Sequence, residues 1–355
     1  MHTSLAERLL TLVKFHSVIG DEGPLCDFII ERAQKAGGMI VERVGNSIAL
    51  RPSHRRHDQL VCLVGHLDTV PATADNPPRV EGDRLFGLGS ADMKAGLAVM
   101  WSLLEKPEEH AAYDVAHIFY DAEEGPYESG GLGPLLDATP WIKDEVDLAF
   151  CLEPSDNALQ LGCLGVLNAT VTFSGRAAHS ARPWQGENAV HKAAGLLGRL
   201  AAFTPKEHLF GDLKYMEVIS ATLAQGGVAR NVVPASFELN LNYRFPPGCC
   251  MEQARQNVRD LVAGEAEVVF IDIAPSGTIP VDNEVLERFK RRCAVPVAAK
   301  QAWTDVGRMS TLGIDAVNFG PGEGAQAHQP HESTSIALLE EGEALMRRFL
   351  SKGEG

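Results

Sequence analysis

The sequence predicts an α/β protein in which a larger domain, built on a mixed sheet, is interrupted by an inserted βαββαβ unit of ferredoxin-like type. Three observations predict it. Short apolar runs, Val61–Val64, Ala116–Tyr120 and Leu148–Leu152, each lead into polar residues. That is the pattern of an open α/β sheet with its site along the carboxyl edge of the strands. From about Leu167 the texture changes to alternating strands and apolar-faced helices, and after Pro275 α/β character returns. Candidate site residues lie on both sides of the insertion, so the first and last parts form one domain. The expected boundaries are 1–165 and 276–355 for the larger domain and 166–275 for the insertion.

In chain order, MHTSLAERLLTLVKFH reads as an amphipathic helix with Leu5, Leu9 and Val13 on one face, not as a basic leader with an apolar stretch and cleavage site. Val61–Val64 is a strand ending at Gly65-His66, and Ala116–Tyr120 a strand ending at Asp121. Leu148–Leu152 delivers Glu153, and Asp92 precedes the helical run MKAGLAVMWSLL. Within the insertion, Val166–Ser174 alternates as a strand and Glu187–Phe203 is helical. Tyr215–Leu223 and Phe237–Phe245 are strands, Met251–Ala263 a helix and Ala266–Ile273 a closing strand. This order gives the βαββαβ reading. The tail SKGEG is polar and expected to fray.

A chain of 355 residues exceeds a single small core. Its 45% hydrophobic and 22% charged residues are an ordinary globular balance, and no apolar run reaches membrane-spanning length. The net charge of −15 argues against nucleic acid as a partner. Seven cysteines without a CxxC pair, two of them in the adjacent pair Cys249–Cys250, predict a reduced, cytoplasmic chain.

Several side chains carry chemistry. In GHLDTVP, the period of two in a strand puts His66 and Asp68 on one side, so Asp68 can orient the imidazole. Asp92 in GLGSADMKAG can cap the following helix, bridge two cations through its two oxygens, or do both. Glu123 and Glu124, adjacent beyond an apolar strand, repel each other unless a cation compensates; one can ligate while the other accepts a proton. Glu153 ends a strand where an unpaired carboxylate is costly. In GEGAQAHQPHESTS, either His328 or His331 can ligate. Two imidazoles with three carboxylates suit a pair of divalent metals sharing one carboxylate, hence metal-assisted hydrolysis of an amide. The insertion offers His179, Arg182, Asn231 and Arg244, and the last part Thr304, Asp305 and Arg308. Guanidinium and amide donors near turns are what carboxylate recognition needs.

Taken in order, GHLDTVP, ADMKAG, FYDAEE, LEP, AHSARPWQGENA, GGVARNVVP, NYRFPP, WTDVGR and AVNFGPG cover nearly the whole chain. Together they resemble the M20 family of dinuclear zinc peptidases and deacylases, and within it the actinobacterial-type succinyl-diaminopimelate desuccinylases. The resemblance implies a zinc-peptidase catalytic domain with an inserted dimerisation or lid domain. It implies two Zn(II), with Co(II) able to substitute. Asp92 would bridge the metals, His66 and Glu153 completing one and Glu124 with His328 the other. Glu123 would be the general base and Asp68 the support of His66. His179 would reach the site of a second subunit, making the protein a homodimer. Arg182, Asn231, Arg244, Thr304 and Arg308 would bind an acylated amino acid.

The implied reaction is hydrolysis of N-succinyl-LL-2,6-diaminopimelate to succinate and LL-2,6-diaminopimelate. The alternatives are an acetylornithine deacetylase-like enzyme or a dipeptidase. Three features depart from the family pattern: His331 where Asn or Asp is usual, the segment EGPYESGG, and a loop LGCLG lacking an arginine.

Overall fold

The computed structural model describes residues 3–352; the last residues of the expected frayed tail, 353–355, lie outside the described residues. The chain forms two compact units. The first comprises Met1–Gly162, Thr278–Ala298 and Thr304–Gly355, and the second Cys163–Gly277 and Ala299–Trp303.

The first unit is built on an eight-stranded mixed sheet. Its strands run in the order Met39–Val44, Ser47–Pro52, Asp114–Tyr120, Leu60–His66, Leu148–Cys151, Ala316–Asn318, Leu159–Leu161 and Val297–Ala299. Leu60–His66 is central and parallel to both Asp114–Tyr120 and Leu148–Cys151, and Ala316–Asn318 is parallel to Leu148–Cys151. These parallel strands are buried along their whole length, which is why they read as continuous apolar runs instead of alternating ones. The register sets Val64 opposite both Ile118 and Cys151, so the three strands end nearly level. A small sheet of Arg79–Glu81, Arg84–Phe86 and Ser333–Ser335 lies apart from the large one.

Helices Leu5–Val13, Gly23–Ala36, Lys94–Leu104, Glu284–Cys293 and Ile336–Leu350 belong to the same unit. The first is fixed by a capping box, in which the Ser4 hydroxyl accepts the Glu7 N–H and the Glu7 carboxylate accepts the Ser4 N–H. Lys94–Leu104 is buried on every side, as a helix apolar all round its circumference must be.

The second unit is a five-stranded antiparallel sheet in the order Lys206–Phe210, Leu213–Gly226, Ser236–Phe245, Gly165–Ser174, Glu267–Ala274. The last four strands have the order of a ferredoxin-like βαββαβ unit. Lys206–Phe210 is an additional edge strand absent from the sequence reading. It pairs with Leu213–Glu217 across a tight turn at Asp212 and Gly211, whose φ is +60°. The polar run KEHLF hides it, because an edge strand needs no buried face. The helix expected over Glu187–Phe203 is two pieces, Ala189–Lys192 and Ala194–Ala202; Glu187 instead bridges Arg176. The core is formed by Leu167, Val171, Phe173, Leu196, Leu239, Phe245 and Val258.

Ala299–Trp303, which the sequence assigns with the last part, belongs to the second unit. Gln301 donates to Lys214 O at 2.5 Å and accepts from Met216 N–H at 3.1 Å, and Trp303 Nε1 donates to Pro275 O at 3.0 Å. Among the described residues, no helix is long and apolar enough to cross a membrane.

Candidate metal centre

The level carboxyl ends of the three parallel strands place His66, the Glu123–Glu124 turn and Glu153 along one edge. Val64 is paired with Cys151, so His66 and the buried Glu153 each follow a paired position by two residues at this edge. Asp92 joins them because the helix that follows it presses onto the strand end. A Cβ on Gly96 would lie 2.3 Å from Leu152 O, so only glycine permits that approach. Asp92 does not cap the helix: its N-cap is Met93, with no side-chain cap hydrogen bond.

His66, Asp92 and Glu124 each present a ligand atom, all within 4.8 Å of one another. His66 Nε2 lies 3.3 Å from Asp92 Oδ1. His328 Nε2 lies 2.9 Å from Glu124 Oε1 and 3.6 Å from Asp92 Oδ2. His328 holds a left-handed backbone with φ +60°, an uncommon conformation for a non-glycine residue that aims its ring from a loop. The two imidazoles thus approach different oxygens of Asp92.

Two buried carboxylates hold these groups in place. Asp68 accepts the N–H groups of Glu123 at 3.0 Å and Glu124 at 2.9 Å, and its Oδ1 stands 3.5 Å from His66 Nδ1. One side chain therefore steadies the imidazole and the acidic turn together. The His66 ring is fixed further by Asp68 O, 3.0 Å from Nδ1. Glu332 accepts the N–H groups of Gly89 at 2.6 Å, Ala91 at 2.7 Å and Asp92 at 2.9 Å, tying the Asp92 loop to the His328 loop. Sequence reading assigned Glu332 no role. The glycine-rich GLGSAD loop signals backbone donors in need of an acceptor, but nothing in the sequence says which carboxylate provides it.

The electrostatics follow from burial and like charge. Burial raises Glu123 well above the usual carboxylate range; His66 opposes this, while Glu153, Glu124 and Asp305 add to it. Burial would lower His66, but hydrogen bonds to Asp68 and Asp92 outweigh it and raise the imidazole. Burial would raise Asp68, yet the hydrogen bond to His66 and the Glu123 and Glu124 N–H groups hold it low. The hydrogen bond to Glu124 brings His328 up to about 9. Carboxylates and imidazoles competing for protons in one cleft are the signature of a site built for positive charge. Oxygen and nitrogen donors of this kind suit a borderline divalent ion, so the donor set fits the expected metals.

Thr304 and Asp305 are buried in the same unit. Asp305 hydrogen-bonds the Tyr120 hydroxyl and accepts Arg308 Nε at 2.9 Å. Arg308 donates to Tyr127 O at 2.5 Å, and its guanidinium lies 3.8 Å from the Tyr127 ring centre. Its side chain, mostly buried, thereby anchors the EGPYESGG segment beyond the glutamate pair.

His179, Arg182, Asn231 and Arg244 belong to the second unit. There His179 bridges Val232, Ser180 N–H donates to Asn231 O at 2.9 Å and Arg182 N–H to His179 O at 2.8 Å. His179, Arg182 and Asn231 are thus gathered on one exposed pair of loops. Arg244 is half-buried on Ser236–Phe245, its Nε donating to Asn242 Oδ1 at 3.1 Å.

A cluster of acidic and imidazole ligands at the carboxyl edge of a mixed sheet, with a separate antiparallel unit inserted in the chain, defines the class of metal-dependent amidohydrolases and peptidases. The chain belongs to peptidase family M20/M25/M40, whose model matches residues 62–352. It is 37% identical over 321 residues to a Mycobacterium tuberculosis protein provisionally named as a succinyl-diaminopimelate desuccinylase, covering 90% of this chain and 89% of that one. It is 33% identical to the succinyl-diaminopimelate desuccinylase of Corynebacterium glutamicum, over 96% of this chain and 94% of that one. In fold it resembles a Staphylococcus aureus tripeptidase, with TM-score 0.80 and 19% identity over 98% and 96% of the two chains. It also resembles a Bacillus subtilis dinuclear metal-binding peptidase of the M20 family, with TM-score 0.70 and 16% identity over 98% and 96%.

Proposed function

We propose that the protein hydrolyses the amide of N-succinyl-LL-2,6-diaminopimelate, releasing succinate and LL-2,6-diaminopimelate. The observation that carries the reading is the ligand arrangement at Asp92, with His66 and His328 approaching its two oxygens. The names carried by the actinobacterial relatives supply the substrate.

Asp92 would be shared between two zinc ions, His66 and Glu153 holding one and Glu124 and His328 the other. When bound, the pair would polarise the scissile carbonyl and acidify water. Glu123, adjacent to the ligand Glu124 but left out of the ligand set, accepts the proton of the attacking water and returns it to the departing amine. Its burial, which favours the protonated form, suits the second half of that cycle. Asp68 keeps the His66 ring and the Glu123 backbone in fixed relation.

Substrate recognition falls to Arg182, Asn231, Arg244, Thr304 and Arg308, whose donors match carboxylate groups. His179 would donate to the developing oxyanion from a second copy of the chain, which makes a homodimer part of the proposal. A monomer with full activity would remove His179 from that role.

The test is an assay of the zinc-loaded protein against succinyl-diaminopimelate, N-acetylornithine and dipeptides. Preference for succinyl-diaminopimelate by at least about tenfold in kcat/KM, or about 1.4 kcal/mol, is expected. Preference for either of the others would reassign the substrate and leave the metal chemistry intact.

A further inference from the structure

The segment EGPYESGG is left without a task by the proposed mechanism. It belongs to a short loop that also carries the acidic turn: Gly131 N–H donates to Asp121 O at 2.9 Å, closing the chain around Glu123 and Glu124. Tyr127 stands three residues beyond Glu124. At about 3.8 Å per residue, its Cα lies within about 11 Å of the Glu124 Cα.

Arg308 packs onto this loop. Its Nη2 donates to Tyr127 O at 2.5 Å, and the guanidinium carbon lies 3.8 Å from the centre of the Tyr127 ring. Its Nε donates to Asp305 Oδ1 at 2.9 Å, in an ion pair whose arginine side chain is 11% exposed and whose aspartate is 3% exposed. Glycines make room for the guanidinium. A Cβ on Gly133 would lie 2.7 Å from Arg308 Nη1, and one on Gly130 3.3 Å from Nη2. Tyr127, Asp305 and the two glycines thus form a slot that fits a flat guanidinium.

An arginine has five N–H donors. Two are used here, and Nη1 has no acceptor among the described residues. A free arginine side chain loses rotamer freedom when it binds a carboxylate, which weakens binding. In this slot the ring and the two hydrogen bonds have already fixed the plane of the fork, so a carboxylate can be met with little further ordering.

We propose that Tyr127 is a positioning residue for substrate recognition: its ring and carbonyl hold Arg308 as a preset clamp for the carboxylate on the substrate's amide-bearing carbon, at a distance from Glu123 set by their common loop. The inference rests on the substrate role proposed for Arg308, and two variants separate them. If Arg308→Gln leaves KM unchanged, that role fails and the clamp with it. If Arg308→Gln raises KM and Tyr127→Leu does not, only the present inference fails.

The experiment is steady-state kinetics of the zinc-loaded full-length protein and its Tyr127→Leu, Tyr127→Phe and Arg308→Gln variants, with the Tyr127→Leu/Arg308→Gln double variant. The substrates are succinyl-diaminopimelate and its analogue with a carboxamide in place of that carboxylate; circular dichroism follows folding and elemental analysis follows zinc. Tyr127→Leu is expected to raise KM for succinyl-diaminopimelate about three- to thirtyfold, the span of a partly buried cation–π contact. Its kcat, its bound zinc and its KM for the carboxamide should stay at wild-type values. Tyr127→Phe keeps the ring and is expected to restore the wild-type KM. In the Arg308→Gln background, Tyr127→Leu should add little, because the ring acts through the guanidinium. An unchanged KM, an equal rise for the carboxamide, a loss confined to kcat, or losses that multiply in the double variant would overturn the proposal. Should Tyr127→Leu not fold, Tyr127→Met takes its place and is read in the same way. If the unaltered protein prefers N-acetylornithine or a dipeptide, the comparison is made on that substrate, whose amide-bearing carbon carries the same carboxylate.

Discussion

The two units carry their polar residues in opposite ways. In the first, His66, Asp68, Glu153 and Glu332 are buried, and Asp68 and Glu332 each bind several backbone N–H groups of the loops they serve. In the second, His179, Arg182 and Asn231 are exposed, and their loops are joined mainly by backbone-to-backbone bonds. The difference teaches where geometry has to be fixed in advance. Metal-assisted chemistry tolerates little misplacement of its ligands, so their supports are themselves buried and hydrogen-bonded. Under the proposed function, recognition of a flexible acyl-amino acid would be completed on binding, so donors such as Arg182 and Asn231 would need only to be held near one another.

That contrast can be broken or sharpened by substitution. The largest effect is expected for Glu123→Gln. Turnover should fall by about 10²–10⁴, the contribution of a positioned general base, while bound metal measured by elemental analysis stays at the wild-type level. Near-normal turnover would remove Glu123 from its role. His179→Ala should cost about 10²–10³ in kcat as the loss of an oxyanion donor, with zinc affinity unchanged. A loss of zinc by that variant would erase the distinction between the units.

Asp68→Asn acts on the other side of the comparison. It should weaken zinc binding by about 10–100-fold, because Asp68 steadies both His66 and the Glu123–Glu124 turn. Arg182→Ala should raise KM for succinyl-diaminopimelate roughly tenfold or more, as expected for losing a hydrogen bond to a charged group, and leave the metal in place.

The smallest effect concerns pH. In the metal-free chain, Glu124 brings His328 from 6.5 up to about 9. A raised imidazole stabilises the fold fully below its unfolded value of about 6.5. That stabilisation is lost as pH rises through about 9. Metal-free wild type should therefore melt about 1–2 °C above Glu124→Gln near pH 6, a modest gap because His328 is half exposed. The gap should close by pH 10. A gap that widens with pH would contradict the pairing.

Much of the first unit could be read directly from the sequence, for a physical reason. Parallel strands buried on both faces appear as uninterrupted apolar runs, and the polar residue that ends each run marks the carboxyl edge. His66 is legible that way, and Glu124 through the improbability of adjacent carboxylates beyond such a strand; the structure gathers these two with Asp92. Asp92 was ambiguous, because an aspartate before a helix most often caps it; in the structure it leaves the cap position to Met93 and faces His66 instead. The edge strand Lys206–Phe210 escaped because it has no apolar face to announce it, and the transfer of Ala299–Trp303 to the second unit rests on side-chain bonds that no local pattern encodes.

By itself, the sequence determined the residue types of the site, the strands that deliver them and the family to which the chain belongs. These depend on local hydrophobic pattern and on short motifs whose order survives without coordinates. Only the tertiary structure decided that His328 and His66 approach different oxygens of Asp92 and that Glu332 binds the Asp92 loop. Those facts join residues more than two hundred positions apart, and their energetics come from burial and charge balance, quantities that exist only once the chain has folded.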